Sequence, residues 1–337
     1  MTAAAYVSSA RTAISAQAGA LERAAAADAL IFDVDGVLVD VNRSLRLVTC
    51  EAAQFYLARV LHWQTAAYYV TPRDIALFKT AGGFNDDWDL TRALVLLYLV
   101  KAHKLDATQA ASLRRASPTI TQAARALRES AGGYPGLQRM LLDPLDENAR
   151  ASTLRDWDTE LIARVFKEHF AGAKFCRAFY GFEPQYYLGP GYIDRDHPLV
   201  DPALLGRACW QIGLYTGRTL AEAKHAISLI GAEHVINWEH VVTADDSIYK
   251  PDPRGLEILA ERMGFRSAVF FGDMPDDAEA VRRYRRAGGN ACRRPEIFFA
   301  YVRSGRRADL WDVPDADIET PSVNALLRRL LRRVPQP

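Results

Sequence analysis

The stretch from Ala29 to Asp40, ALIFDVDGVLVD, constrains the chain more than any other. Ala29 to Phe32 is a short apolar run of the kind that forms a fully buried strand. The run stops at two carboxylates, Asp33 and Asp35, and at Gly36, which lets the backbone turn tightly. Both acids therefore stand at the C-terminal end of a strand, the edge at which open α/β sheets bind ligands. Being two residues apart, they face one crevice only if the chain curls around them. Taken alone, the pattern fits a turn with two solvated acids equally well.

Three later stretches shift that balance. Gly213-Leu214-Tyr215-Thr216-Gly217-Arg218 is a second apolar run, ending in a hydroxyl. Ile248-Tyr249-Lys250-Pro251-Asp252-Pro253 places a lysine just before a helix, and Val269 to Asp277, VFFGDMPDD, is a third strand ending in acids. In order, spacing and residue type the four stretches resemble the signature motifs of the haloacid dehalogenase superfamily of phosphohydrolases: Asp-x-Asp-Gly, Thr/Ser, Lys and Gly-Asp-x-x-x-Asp. The resemblance implies an α/β fold, a Rossmann-like doubly wound parallel sheet with a mostly α-helical cap inserted between motifs one and two. Within the superfamily the closest general likeness is to phosphoglycolate phosphatases, although this insertion is longer than theirs usually is.

The same resemblance implies roles. Asp33 is the nucleophile that forms an aspartyl-phosphate, and Asp35 is the acid that protonates the leaving alcohol and then the base that activates water. Thr216 and Lys250 are preorganised stabilisers of the transferring phosphoryl group. Carboxylates gathered around an anionic substrate need a cation, and Mg²⁺ prefers hard oxygen ligands. Its implied ligands are the Asp33 carboxylate, the Asp35 backbone carbonyl and Asp273, with Asp277 reaching it through water. Asp276 lies outside the pattern and reads as a solvated loop residue.

Substrate contacts are less sharply drawn. Gly217 and Arg218 open a helix whose N-terminus can hold anions, and a solvated first-turn arginine fits as well. Arg43, near the mouth of the expected site, either binds an anion or is a solvated helix residue. Phe78 to Arg92, FKTAGGFNDDWDLTR, offers Lys79, Asn85 and Trp88 beside two glycines. It reads as a substrate-facing loop of the cap, with a helix connector as the alternative.

Length bounds the architecture: 337 residues suggest two domains. The expected division is an N-terminal extension over 1–28, a core over 29–42 and 201–337, and a helical cap over 43–200. Lys+Arg of 42 against Asp+Glu of 41 gives a net charge of +1, which implies no nucleic-acid partner. The 4 cysteines lie far apart with no Cys-x-x-Cys, which speaks against zinc and a disulfide framework and suits a reducing compartment. The longest apolar stretch, Ala93 to Val100, is too short to span a bilayer. With no basic leader before an apolar core, the expected location is cytoplasmic.

Beyond the motifs, Thr71-Pro72 predicts a capped helix start, and Asn290 to Cys292 and Ala308 to Trp311 read as edge strands. The arginines at 282, 283, 285 and 286 read as a solvated helix face. The leading expectation is a Mg²⁺-dependent phosphatase of a small phosphorylated metabolite. A phosphomutase with the same motifs, and a non-catalytic binding protein on the same fold, are the alternatives.

Overall fold

The computed structural model describes residues 13–63, 66–84, 86–130, 133–207, 210–287, 294–303 and 316–332. The chain divides into two compact units, one of residues 1–40 and 197–337, the other Val41–Asp196.

The first unit carries the strands: β1 (Ser15–Ala16), β2 (Ala29–Phe32), β3 (Val39–Asp40), β4 (His197–Pro198), β5 (Gln211–Tyr215), β6 (Val241–Val242), β7 (Ser267–Gly272), β8 (Glu296–Val302) and β9 (Ile318–Thr320). Seven of them form one sheet in the order β1-β9-β8-β7-β2-β5-β6. Every pairing is parallel except β1 with β9. β3 and β4 pair separately and antiparallel, bracketing the insertion in the sequence. Helices cover both faces of the sheet, giving the doubly wound α/β architecture.

Burial on both faces explains why the strands read as continuous apolar runs. Side chains alternate along a strand, so Ala29, Ile31, Ala268, Phe270, Ile297 and Phe299 share one core with Leu256, Leu259, Met263, Val281 and Tyr284 from the helices Arg254–Met263 and Pro275–Ala287. The intervening residues Leu30, Phe32, Val269 and Phe271 are equally buried. Phe32 and Phe271 stack at 4.6 Å between centroids.

The N-terminal stretch departs from expectation. Read as an extension, its residues from 13 onward belong to the sheet unit: β1 adds an edge strand, and the helix Ala20–Ala25 buries Ala20 and Ala24. Short pairings of this kind depend on a distant partner, here β9, and leave little local signal. Both expected edge strands fall on residues outside those described, wholly for Asn290 to Cys292 and for Ala308 to Trp311. The described strands after β7 are β8 and β9, which the sequence reading passed over. Arg282 and Arg283 pair with Glu279 on the helix surface, but Arg285 binds Asp317 and the Ile297 carbonyl and so ties the helix to β8 and β9.

The second unit is helical. Asp87–Leu105 runs through its middle, with Leu90 and Ala93 to Val100 all buried, which is why this stretch is apolar on every side. Around it pack Leu45–Phe55, Gly133–Leu142 and Thr159–Tyr180, among others. The helix Pro72–Ala81 starts as its sequence predicts: the Thr71 side chain accepts from the Asp74 amide while Asp74 accepts from the Thr71 amide.

Candidate active site

The register of the sheet assembles the site. Phe32 pairs with Leu214 on one side and with Phe271 on the other. The residues that follow, Asp33, Thr216 and Asp273, therefore emerge at the same C-terminal edge of three adjacent parallel strands. The Asp33 amide continues the ladder to the Phe271 carbonyl at 2.9 Å, and the Thr216 amide does the same to Val242 at 3.0 Å. Beyond Asp33 the chain curls back: the amides of Leu38 and Val39 donate to the Val34 carbonyl, and Gly36 donates to Val39 at 2.8 Å. That curl is what lets Asp33 and Asp35 face one crevice.

Lys250 lies at the centre of the charges. Its Nζ is 2.9 Å from Asp33 Oδ1 and 2.7 Å from Asp277 Oδ1. All three side chains are buried. Asp277 turns its other oxygen back to accept from the amides of Asp273, at 3.0 Å, and Met274, at 2.9 Å, and so fixes the turn that carries the fourth motif. Burial, the largest influence, and the carboxylates of Asp277, Asp35 and Asp273 hold the Asp33 carboxyl well above the usual carboxylate range, against the pull of the Lys250 ammonium. For Lys250 burial opposes the charged form, but Asp277 and Asp33 outweigh it and raise its affinity for the proton.

The donor set suits a hard divalent cation. Carboxylate oxygens of Asp33, Asp273 and Asp277 lie within 4.8 Å of one another, and all three residues are buried. With all three ionised, one ammonium would leave two negative charges uncompensated in a site where charge is expensive. All-oxygen ligands at this spacing fit Mg²⁺.

Arg218, expected either to bind anions or to lie in solvent, does not lie in solvent. It is buried, and its Nε and Nη2 each stand 2.8 Å from Asp35 Oδ1. Its own amide donates to Thr216 Oγ1 at 3.2 Å.

Two supporting features were missed in the sequence. Gly36 has a φ of +78°, and a Cβ there would lie 2.1 Å from Asp273 Oδ2, so motif one and motif four touch through this glycine. Tyr215, buried beneath Lys250, donates its hydroxyl to the Asp252 carbonyl at 2.8 Å, tying the second motif to the loop that carries the third. An aromatic residue just before Thr216 and an aspartate just after Lys250-Pro251 are a signal visible only once the two loops are known to meet.

The remaining candidates lie in the helical unit. Lys79 bonds the Phe84 carbonyl and pairs with Asp87, both at 3.1 Å. Trp88 sets its ring edge-on to Phe166 at 6.2 Å, with Lys167 Nζ 4.9 Å from its centroid. Both side chains thus have packing partners inside the insertion. Arg43 is exposed in the turn before Leu45–Phe55, and Asn85 lies outside the described residues.

No family model and no curated protein sequence matches the chain. Solved structures do. A phosphatase from Thermococcus thioreducens superposes with a TM-score of 0.56 at 25% identity, over 90% of this chain and 98% of that one. The fold and the four motifs together are those of haloacid dehalogenase-type phosphatases. A structural-genomics target of 14% identity shares the fold at the same TM-score, 0.56, over 91% of this chain and 100% of its own. A putative phosphoglycolate phosphatase from Lactobacillus plantarum and a predicted one from Haemophilus somnus superpose only at a TM-score of 0.41 and at 12% and 13% identity. That likeness is too loose to carry a substrate to this chain.

Proposed function

We propose that this haloacid dehalogenase-type chain is a Mg²⁺-dependent phosphoric monoester hydrolase of a small phosphorylated metabolite, working through an aspartyl-phosphate on Asp33. The observation that carries the reading is the set of buried side chains at one sheet edge, Asp33 against Lys250 and Asp277 with Asp273 beside them, and the partly exposed Asp35 two residues on. The phosphatase neighbour from Thermococcus thioreducens supports the reaction class.

An Asp33 oxygen attacks phosphorus, forming the P–O bond to the enzyme as the bond to the leaving oxygen breaks. Asp35 gives its proton to that oxygen and the alcohol departs. The Asp35 carboxylate then takes a proton from water; the hydroxide oxygen attacks phosphorus, the bond to Asp33 breaks and phosphate is released. Lys250 keeps Asp33 aligned and offsets charge, while the Thr216 hydroxyl and the Gly217 amide orient the phosphoryl oxygens. Held by Asp33, Asp273 and the Asp35 carbonyl, with Asp277 one water away, Mg²⁺ would neutralise charge on the transferring group. The helical insertion, including Arg43, Lys79, Asn85 and Trp88, is its source of substrate selectivity in this reading.

The test is release of inorganic phosphate by the purified protein, with and without Mg²⁺, across phosphorylated sugars, acids, amino-acid precursors and nucleotides. Mg²⁺-dependent turnover of a subset, lost in Asp33→Asn, is the expected result. Hydrolysis unaffected by Asp33→Asn would refute the mechanism, and interconversion of sugar phosphates without net phosphate release would identify a phosphomutase.

A further inference from the structure

Arg218 and Asp35 are 183 positions apart in sequence, yet two guanidinium nitrogens converge on one carboxylate oxygen. Two features of the contact are informative. Two of the three guanidinium nitrogens, Nε and Nη2, reach the same carboxylate oxygen, Oδ1, at 2.8 Å. The arginine is the more enclosed partner: its side chain is 3% exposed, against 27% for Asp35.

The root of the arginine is also fixed. Its amide donates to Thr216 Oγ1, its carbonyl accepts from the Ala244 amide at 2.9 Å, and the next turn is held by Asp245 accepting from the Leu220 amide at 2.9 Å. A planar fork set on so rigid a base can hold a partner's orientation at little further entropic cost. Asp35, by contrast, sits on the curl between β2 and β3 with its side chain partly open to solvent.

We infer that Arg218 is a positioning residue for Asp35: by gripping Oδ1 twice it leaves Oδ2 as the oxygen that exchanges the proton with the leaving group and then with water. The inference rests on the phosphatase reading and deepens it, because Arg218 then acts through Asp35 rather than on the phosphoryl group. The neutral head of a glutamine at this position would leave the carboxylate free to rotate. A lysine would keep a point charge near Oδ1 without the fork.

The two roles separate in their dependence on the leaving group. kcat/KM reports the steps through formation of the aspartyl-phosphate, and only esters with poor leaving groups need a proton in that step. In Arg218→Gln, kcat/KM for an alkyl phosphate should fall about 10- to 100-fold, the scale on which misplacing a catalytic group acts. For p-nitrophenyl phosphate the loss should be far smaller. Arg218→Lys should fall between parent and Gln on the alkyl ester. Combining Arg218→Gln with Asp35→Asn should cost little beyond Asp35→Asn alone, because the two residues act as a unit.

An equal loss on both esters, adding in full to that of Asp35→Asn, would mean that Arg218 holds the phosphoryl group, and would overturn the inference. Parental leaving-group dependence in both variants would overturn it too. Should Arg218→Gln not fold by circular dichroism, the same ratio read in Arg218→Lys decides: an excess loss on the alkyl ester supports the inference, and an even loss or none refutes it. A parent protein that hydrolyses neither ester would instead bring down the phosphatase reading itself.

Discussion

Replacing Gly36 with alanine tests whether the contact between the first and fourth motifs sets the geometry of the acids. Two costs can be worked out separately. At a φ of +78° an L-residue is strained, which costs about 1–2 kcal/mol. The new Cβ would also lie 2.1 Å from Asp273 Oδ2 and 2.7 Å from its Cγ. Close carbon–oxygen contacts settle near about 3.3 Å, so the carboxylate or the loop must retreat by about 1 Å. Misplacing a functional group by that much costs roughly 10²-fold in rate.

Gly264, at the end of the helix Arg254–Met263, supplies the control, with a φ of +63° and nothing within 4 Å of an added Cβ. Gly264→Ala should lose about 1–2 kcal/mol in a urea melt and keep its kcat/KM. Gly36→Ala should lose more stability than the control, lose about 10²-fold in kcat/KM and require more Mg²⁺ for half-maximal activity. If its kcat/KM and Mg²⁺ requirement match the parent, the reasoning about Asp273 is wrong.

Asp33→Asn should remove turnover while leaving the urea midpoint close to the parental value, since the isosteric amide oxygen can still accept from Lys250, which keeps Asp277 as its ion-pair partner; phosphate release and a denaturation curve check the two halves. Asp35→Asn should slow hydrolysis of an alkyl phosphate by about 10²–10⁴, the usual worth of general acid–base catalysis, as read by steady-state kinetics. In the helical unit Lys101 is buried, its Nζ donating to the Leu113 carbonyl at 3.1 Å, and burial, aided by Arg114, pushes its pKa down to about 8. The unfolded chain then binds more protons than the folded one between that value and the free-lysine value of about 10.4, so this group makes stability rise with pH across the window. Relative to Lys101→Met, the parent should gain up to about 3 kcal/mol there in pH-dependent urea melts, and parallel curves would contradict the assignment. Trp88→Ala should cost about 2 kcal/mol of stability by emptying the contact with Phe166. An equal kinetic loss on a natural substrate and on p-nitrophenyl phosphate marks Trp88 as a packing residue, whereas a selective loss marks it as a substrate contact.

The sequence by itself determined the strands and the acids at their ends. Ala29–Phe32 and residues 268–271 are apolar at every position because both faces of a parallel sheet are buried, and the glycine or carboxylate that halts each run is adjacent in the chain. The order of the four motifs was legible for the same reason: each is a local pattern of a few residues. The Thr71-Pro72 helix start and the apolar helix through Ala93 to Val100 could be read in the same way.

What only the tertiary structure decided is pairing between distant segments. Nothing near Arg218 announces that its charge is spent on Asp35, and nothing near Gly36 announces that Asp273 lies against it. β1 is two residues long and acquires its meaning from β9, some three hundred positions later. Lys79 and Trp88 carry polar and aromatic groups suited to a ligand, yet Asp87, Phe166 and Lys167 engage them within the insertion. Local propensity and periodicity specify which face of an element is buried. The partner of a charge or of a short strand is fixed by the sheet order and by the routes of the loops, and these emerge only when the chain has folded.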